Sequence, residues 1–295
     1  MILQNALGKE KQVLFFLKSA WHAPYYQIEA WIKYKFNPED MFLLIENDQI
    51  ISILQAAKRV FSIQNKDCLV SVVEFALTDP EYRNHGYFKK LLEAYIKKCE
   101  CNELLSLVKT SIPKPFLQQD FWMQSVTKVY TLSSEKVTYL PISRVRKYRP
   151  AFDLYPLYEK FLSHFDSSIH LSRQEFENDL AYYAHAKRNV VLMYNKSYEP
   201  EGFAIYALHE NKARIEVLVY LNSNAIESLF SSLSLICDTI LIETSQFEVL
   251  EKLYPSIRSY EKNEILLRIN NKKLFEHWLP VNADLFGHPS WDQLL

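Results

Sequence analysis

Residues 74–92 read EFALTDPEYRNHGYFKKLL, and the fold turns on how this stretch is read. Glu74 to Thr78 is a short apolar run that ends at a turn signal, the mark of a strand. From Phe88 onward, Phe88, Leu91, Leu92, Tyr95 and Ile96 recur at helical spacing on an otherwise basic surface. Pro80 and Gly86 lie between the two patterns. The chain therefore runs from a strand through a tight loop into a helix N-terminus. There the first backbone N–H groups lack intrahelical partners and the helix dipole presents partial positive charge. Such a loop is a ready site for an anion, phosphate above all.

Upstream, Val13, Leu14, Leu17, Trp21, Ile28 and Ile32 follow a helical pattern over 10–34 that breaks at Pro24, so two helices or one kinked helix are expected. Residues 41–45 and 49–57 are β-rich runs separated by the turn Glu46-Asn47-Asp48, and 68–78 is a third strand. Downstream, 104–108 reads as a buried strand leading to Pro113-Lys114-Pro115, where helix cannot continue, and 129–132 as a further strand. The polar, basic stretch 133–150, with Arg144, Arg146, Lys147 and Arg149, reads as a solvated connector between halves 1–140 and 141–295, with contact to phosphates as the alternative.

The second half opens with helices at 154–165 and 172–183, the latter capped by Ser172 with Glu175 three residues on. Strands at 189–194, 202–209 and 213–221 follow, then a helix at 225–237, a strand at 239–243, a short helix at 247–254 and a strand at 264–269. This order of elements repeats that of the first half.

A chain of 295 residues, 48% hydrophobic, can bury a substantial core. Lys plus Arg, 34, almost balance Asp plus Glu, 35, so no bulk field draws the protein to nucleic acid or an anionic membrane. No apolar run approaches the roughly 20 residues that span a bilayer, and no secretory leader pattern opens the chain, so a cytoplasmic protein is expected. Cys68, Cys99, Cys101 and Cys237 are too scattered for a disulfide framework, and Cys99 and Cys101 lack the further ligands of a metal site. No metal is expected. Exposed strand edges and many tyrosines allow a homo-oligomer without specifying one.

The opening stretch resembles the acyl-coenzyme A motif of the GCN5-related N-acetyltransferases: Arg or Gln, two variable residues, Gly, one variable residue, then Gly or Ala. Arg83, Asn84, His85, Gly86, Tyr87 and Phe88 fill it, preceded by Pro80-Glu81-Tyr82 and the strand end Ala76-Leu77-Thr78. The whole chain is similar to the bacterial enhanced intracellular survival proteins, in which such halves occur in tandem. Residues 202–206, 214–220 and 265–269 resemble their second half. The resemblance implies an α/β (α+β) fold of tandem GNAT-like domains, 1–140 with the acyl-CoA motif and 141–295 without it. Each would have a mixed, mostly antiparallel sheet flanked by helices.

Three departures from the family pattern stand out. Phe88 occupies the position of a small residue. The sequence to Leu295 leaves no room for the sterol-carrier-like domain that usually follows. Phe116, in the stretch Pro115 to Phe121, stands where the general-acid tyrosine would be, leaving Tyr82, Tyr87 and Tyr130 as nearby phenols.

Acetyl transfer needs a thioester carbonyl held near a neutral amine, a stabilised oxyanion, and a path for the amine proton. The amides of Asn84 to Phe88, with Arg83 and His85, would hold pyrophosphate. Splayed amides of Ala76, Leu77 and Thr78 would, as the resemblance implies, bind the pantetheine arm. Glu74 is the candidate base, because strand alternation puts it on the face of Ala76 and Thr78, and the alternative is a Glu paired with a nearby Lys or Arg. The expected function is acetyl-CoA-dependent N-acetyl transfer to a primary amine, small or peptide-borne. The rival is a catalytically degenerate acyl-CoA-binding or assembly module.

Overall fold

The computed structural model describes residues 2–63, 66–140, 144–147, 152–165, 167–278 and 290–291. Its first half runs β1 (Ile2–Asn5), α1 (Glu10–Ala20), α2 (Tyr25–Tyr34), β2 (Met41–Glu46), β3 (Gln49–Ile63), β4 (Lys66–Thr78), α3 (Tyr87–Asn102), β5 (Leu105–Thr110), α4 (Lys114–Leu117) and β6 (Trp122–Ser133). The second runs β7 (Val145–Lys147), α5 (Tyr155–Leu162), β8 (Ser167–His170), α6 (Arg173–His185), β9 (Asn189–Tyr194), β10 (Pro200–His209), β11 (Lys212–Tyr220), α7 (Ser223–Ser234), β12 (Thr239–Ser245), β13 (Arg258–Ile269), α8 (Lys272–Trp278) and β14 (Ser290–Trp291).

The described strands join one continuous sheet in the order β1-β2-β3-β4-β5-β13-β6-β12-β11-β10-β9-β7, with β8 paired to β3 and β14. Pairing is antiparallel except for β4 with β5, β11 with β12, and β14 with β8. The fold is thus the mixed, mostly antiparallel sheet flanked by helices that the sequence predicts. The basic stretch before 150 is not only connector, since Val145 to Lys147 pairs with β9 at the sheet edge; Arg149 lies outside the described residues. The Pro-Lys-Pro stretch begins one helical turn instead of forbidding it, because proline is tolerated in the first turn, where its missing N–H bonds nothing. The helix expected over 247–254 contracts to a 3₁₀ turn at Leu250–Lys252.

Helices cover both faces. On one, α1 and α2 bury Val13, Phe16, Leu17, Ile28 and Trp31 against Leu43, Ile45 and Ile53. On the other, α3 buries Leu91, Leu92, Tyr95, Ile96 and Cys99 at i, i+3/i+4 spacing over Leu54, Val73 and Val108. The second half repeats the arrangement, with α5 and α6 on one face and α7 on the other.

The repetition reaches register. Parallel pairing of β4 with β5 ends at Val73 and Val108, and that of β11 with β12 ends at Ile215 and Ile242. One residue past each end, the central strand carries a β-bulge. Gln55 and Ala56 pair with Phe75 and Val73, leaving Glu74 extra; Ile205 and Tyr206 pair with Val217 and Ile215, leaving Glu216 extra. The halves also exchange their last strands: β13 lies between β5 and β6, and β6 lies between β13 and β12.

Candidate active site

Where β4 and β5 part, their facing edges open into a wedge whose β4 side carries Glu74, Phe75, Ala76, Leu77 and Thr78. At the far end Asp79 caps a 3₁₀ turn, its carboxylate accepting from the Glu81 amide at 2.9 Å. The loop then turns through Asn84 at φ 66° and Gly86 at φ 78°. Gly86 is the N-cap of α3 and no side chain caps the helix. A Cβ on Gly86 would have open space around it but would sit in the left-handed region that side-chain-bearing residues rarely adopt. Uncapped amides at the start of a 16-residue helix therefore face solvent beside the wedge.

The sequence-predicted binding residues come together here. Thr78 Oγ1 lies 2.7 Å from Ser52 Oγ, and Arg83 folds back to donate from Nε to the Thr78 carbonyl at 3.3 Å. Ala76, Arg83, Asn84 and His85 are exposed. The Tyr87 hydroxyl donates to Glu46 at 3.0 Å, and that bond to a carboxylate raises the phenol pKa. Phe88 packs edge-on against Phe116, 5.6 Å between ring centroids, and Phe116 against Phe121 at 5.5 Å. The large residue at 88 thus closes the core under α3. Phe116 is buried in that core, on the α3 side of the sheet. Tyr130 is remote as well, its single hydroxyl proton shared between the Glu248 carbonyl at 2.7 Å and the Glu251 carboxylate at 2.8 Å.

Glu74 corrects one expectation. The bulge breaks strand alternation, so Glu74 does not share a face with Ala76 and Thr78. Val73 points to the α3 core, while Phe75 and Leu77 pack with the α1–α2 cluster, Phe75 lying 5.0 Å from Trp21 and 4.7 Å from Trp31. The Glu74 carboxylate pairs with Arg59 of β3, which also pairs with Glu175 of α6. Glu175 uses its other oxygen in the capping box with Ser172. Beside them Lys35, the C-cap of α2, pairs with Asp179 of α6, whose carboxyl is raised chiefly by burial. Arg59 escaped sequence reasoning, and Glu175 enters it only as a capping residue, although alternation already places Arg59 in phase with buried Ala57 and Phe61.

The second wedge, whose strands part in the same way, is closed at its helix end. Only Leu221 and Asn222 separate β11 from α7, and Asn222 Oδ1 accepts from the Ala225 amide at 2.9 Å, so that helix end is self-capped. Glu216 nevertheless keeps its arginine, Arg188, at 2.9 Å. A cavity of about 370 Å³ lies between α1, the β2–β3 turn and Asp79. Another of about 330 Å³ lies between α5, the β9–β10 turn and Leu221, the matching place in the second half. Repetition in the closed half marks both as products of the fold. Among the described residues no cluster of His, Cys, Asp and Glu could hold a metal ion, and no helix is long and apolar enough to cross a membrane.

The sequence of residues 6–113 matches the acetyltransferase (GNAT) domain family. That segment is a GNAT domain. It contains α1 through β5, and so both strands of the open wedge and the whole loop between β4 and α3. No curated protein sequence matches the chain. Among solved structures, it superposes on a conserved protein of unknown function from Enterococcus faecalis V583, described as a probable N-acyltransferase, with TM-score 0.76 and 15% identity over 95% of this chain and 75% of that one. A GCN5-related N-acetyltransferase from Anabaena variabilis ATCC 29413 gives TM-score 0.75 at 13% identity, covering 92% of this chain and 73% of that one. Eis1 of Mycobacterium abscessus gives 0.66 at 11%, covering 94% and 75%. At such identities the likeness is one of fold, and it extends past the GNAT domain over both halves.

Proposed function

We propose that the protein is an acetyl-CoA-dependent N-acetyltransferase acting on a primary amine. The observation that carries this reading is the open wedge between β4 and β5 joined to the uncapped N-terminus of α3, in a segment of the GNAT family. The co-substrate would supply a thioester as acyl donor. Amides from Asn84 to Phe88 hold its pyrophosphate, with Arg83 and His85 adding charge, and the unpaired β4 edge from Ala76 to Thr78 aligns the pantetheine arm. Glu74, on the far face, takes the amine proton directly or through water, and Arg59 fixes the carboxylate's position. With Phe116 buried, the departing thiolate takes its proton from water.

A second reading is a non-catalytic acyl-CoA-binding or assembly module. It is favoured by the pairing of Glu74 with Arg59 and by the missing phenol at Phe116. Calorimetric titration with acetyl-CoA, followed by thiol-release assays against an amine panel, separates the two. Binding with turnover is expected; binding without turnover for any amine favours the module, and absence of binding removes both. Gly86→Glu places a carboxylate among the loop amides at a left-handed φ and is expected to weaken acetyl-CoA binding at least tenfold. Wild-type affinity in that variant would discard the loop assignment.

A further inference from the structure

Directly across the wedge from Glu74 stands a lysine. Val73 and Val108 are the last parallel pair, so Glu74 and Lys109 are the next residues on the two diverging strands. Val108 packs under α3, which turns Lys109 to the opposite face, the face of Glu74. Its Nζ reaches Glu243 Oε1 at 3.2 Å, on β12 of the second half. The other oxygen, Oε2, takes Arg214 of β11 and Lys262 of β13, each at 2.9 Å. Ala213, Ile215, Ile240 and Ile242 pack under α7, so Arg214 and Glu243 also project away from the α7 side.

Three cations therefore converge on one carboxylate, and the ion pairs described for all three go to Glu243 alone. Burial alone would push the Glu243 carboxyl up, but Lys109, Lys262 and Arg214 together hold it at about 2. Each cation keeps unused N–H donors, since an ammonium has three and a guanidinium five. The side chains of Lys109, Lys262 and Arg214 are 15%, 32% and 45% exposed, so a ligand can reach them. A partly buried surplus of two positive charges beside a wedge is a receptor for an anion.

We infer that the acceptor is an amine that also carries an anionic group, a carboxylate or phosphate, which docks on Lys109, Lys262 and Arg214 while the amine is presented to Glu74. This rests on the acetyl-transfer reading above and names its substrate class. Glu243 sets the three cations in place and competes with the ligand for them.

The test uses the full-length protein and amine pairs that differ only in the anion: 4-aminobutyrate against butylamine, 6-aminohexanoate against hexylamine, O-phosphoethanolamine against ethanolamine. The anionic member of at least one pair is expected to have a kcat/KM about tenfold or more higher, an advantage that shrinks with added salt. Lys262→Met and Lys109→Met should remove most of that advantage through KM, with acetyl-CoA affinity, measured alongside, unchanged. Both keep Glu243 paired with two cations, so folding survives. Glutarate, titrated calorimetrically without acetyl-CoA, should bind wild type, bind Glu243→Gln several-fold more tightly, and bind Lys262→Met several-fold more weakly. A merely structural cluster predicts no gain in glutarate affinity for Glu243→Gln, whose loss of stability is common to both readings. Turnover with no preference in any pair and no glutarate binding would overturn the inference while leaving acetyl transfer intact; loss of acetyl-CoA binding in wild type would instead discard the reading beneath it.

Discussion

At the scale of single residues, the proposed chemistry centres on Glu74 and its partners. A bulge frees this residue from the ladder, and Arg59 holds its carboxylate between β4 and α6. If Glu74 accepts the amine proton, Glu74→Gln keeps the side chain's shape and loses the base. Turnover is expected to fall by about 10²- to 10⁴-fold with acetyl-CoA affinity unchanged in calorimetry, and an unaltered rate would remove Glu74 from the chemistry. Arg59→Met has a different signature, because Glu74 and Glu175 would lose the cation they share. Its cost is expected at about 2–4 kcal/mol of unfolding free energy, read from urea midpoints. The loop from Arg83 to Phe88 was legible because its glycine, its charges and the helix after it are local. The Arg59–Glu175 link joins positions far apart in sequence, and only buried-phase alternation hinted that Arg59 needed a partner.

Among elements, α3 and α7 hold corresponding places and have opposite fates. The eight residues 79–86 set α3 back from its strand and leave its amides uncapped, whereas two residues bring α7 straight off β11. The tight join draws α7 down onto β10. A Cβ on Gly202 would lie 3.0 Å from Ala225 Cβ and 3.1 Å from the Val219 carbonyl. Gly202→Ala is therefore expected to cost about 1–3 kcal/mol in denaturant unfolding, with acetyl-CoA affinity retained, since the clash lies in the closed half. The elements themselves were largely readable from periodicity, as α6 with its Ser172–Glu175 capping box illustrates. Neighbours were not. Nothing local in Trp122 to Ser133 or Arg258 to Ile269 says that each strand completes the other half's sheet, and the bulges at Glu74 and Glu216 are set by cross-strand register.

For the whole molecule, strand exchange makes the two halves interdependent. A fragment of residues 1–140 would lack β13, so β5 and β6 would lose the strand they both pair with; it is expected to be unfolded or aggregated by circular dichroism and sedimentation, while co-expression with 141–295 restores a folded complex. The ion cluster crosses the same seam. Glu243 binds cations from β5, β11 and β13, and so ties the open wedge to the closed half. Its carboxyl is held at about 2 in the folded protein against 4.5 when unfolded. A depressed folded pKa stabilises the protein fully above the unfolded value and loses that contribution as pH falls from about 4.5 toward 2. The interval corresponds to about 3 kcal/mol for a carboxylate as buried as this one. Unfolding free energies measured by urea titration at pH 7, 5, 4 and 3 should therefore fall more steeply below pH 4.5 in wild type than in Glu243→Gln. The two curves should converge toward the acid end, because the neutral amide mimics the protonated acid. Parallel curves would mean that the cluster contributes no pH-dependent stability, and that the seam is held by the exchanged strands alone.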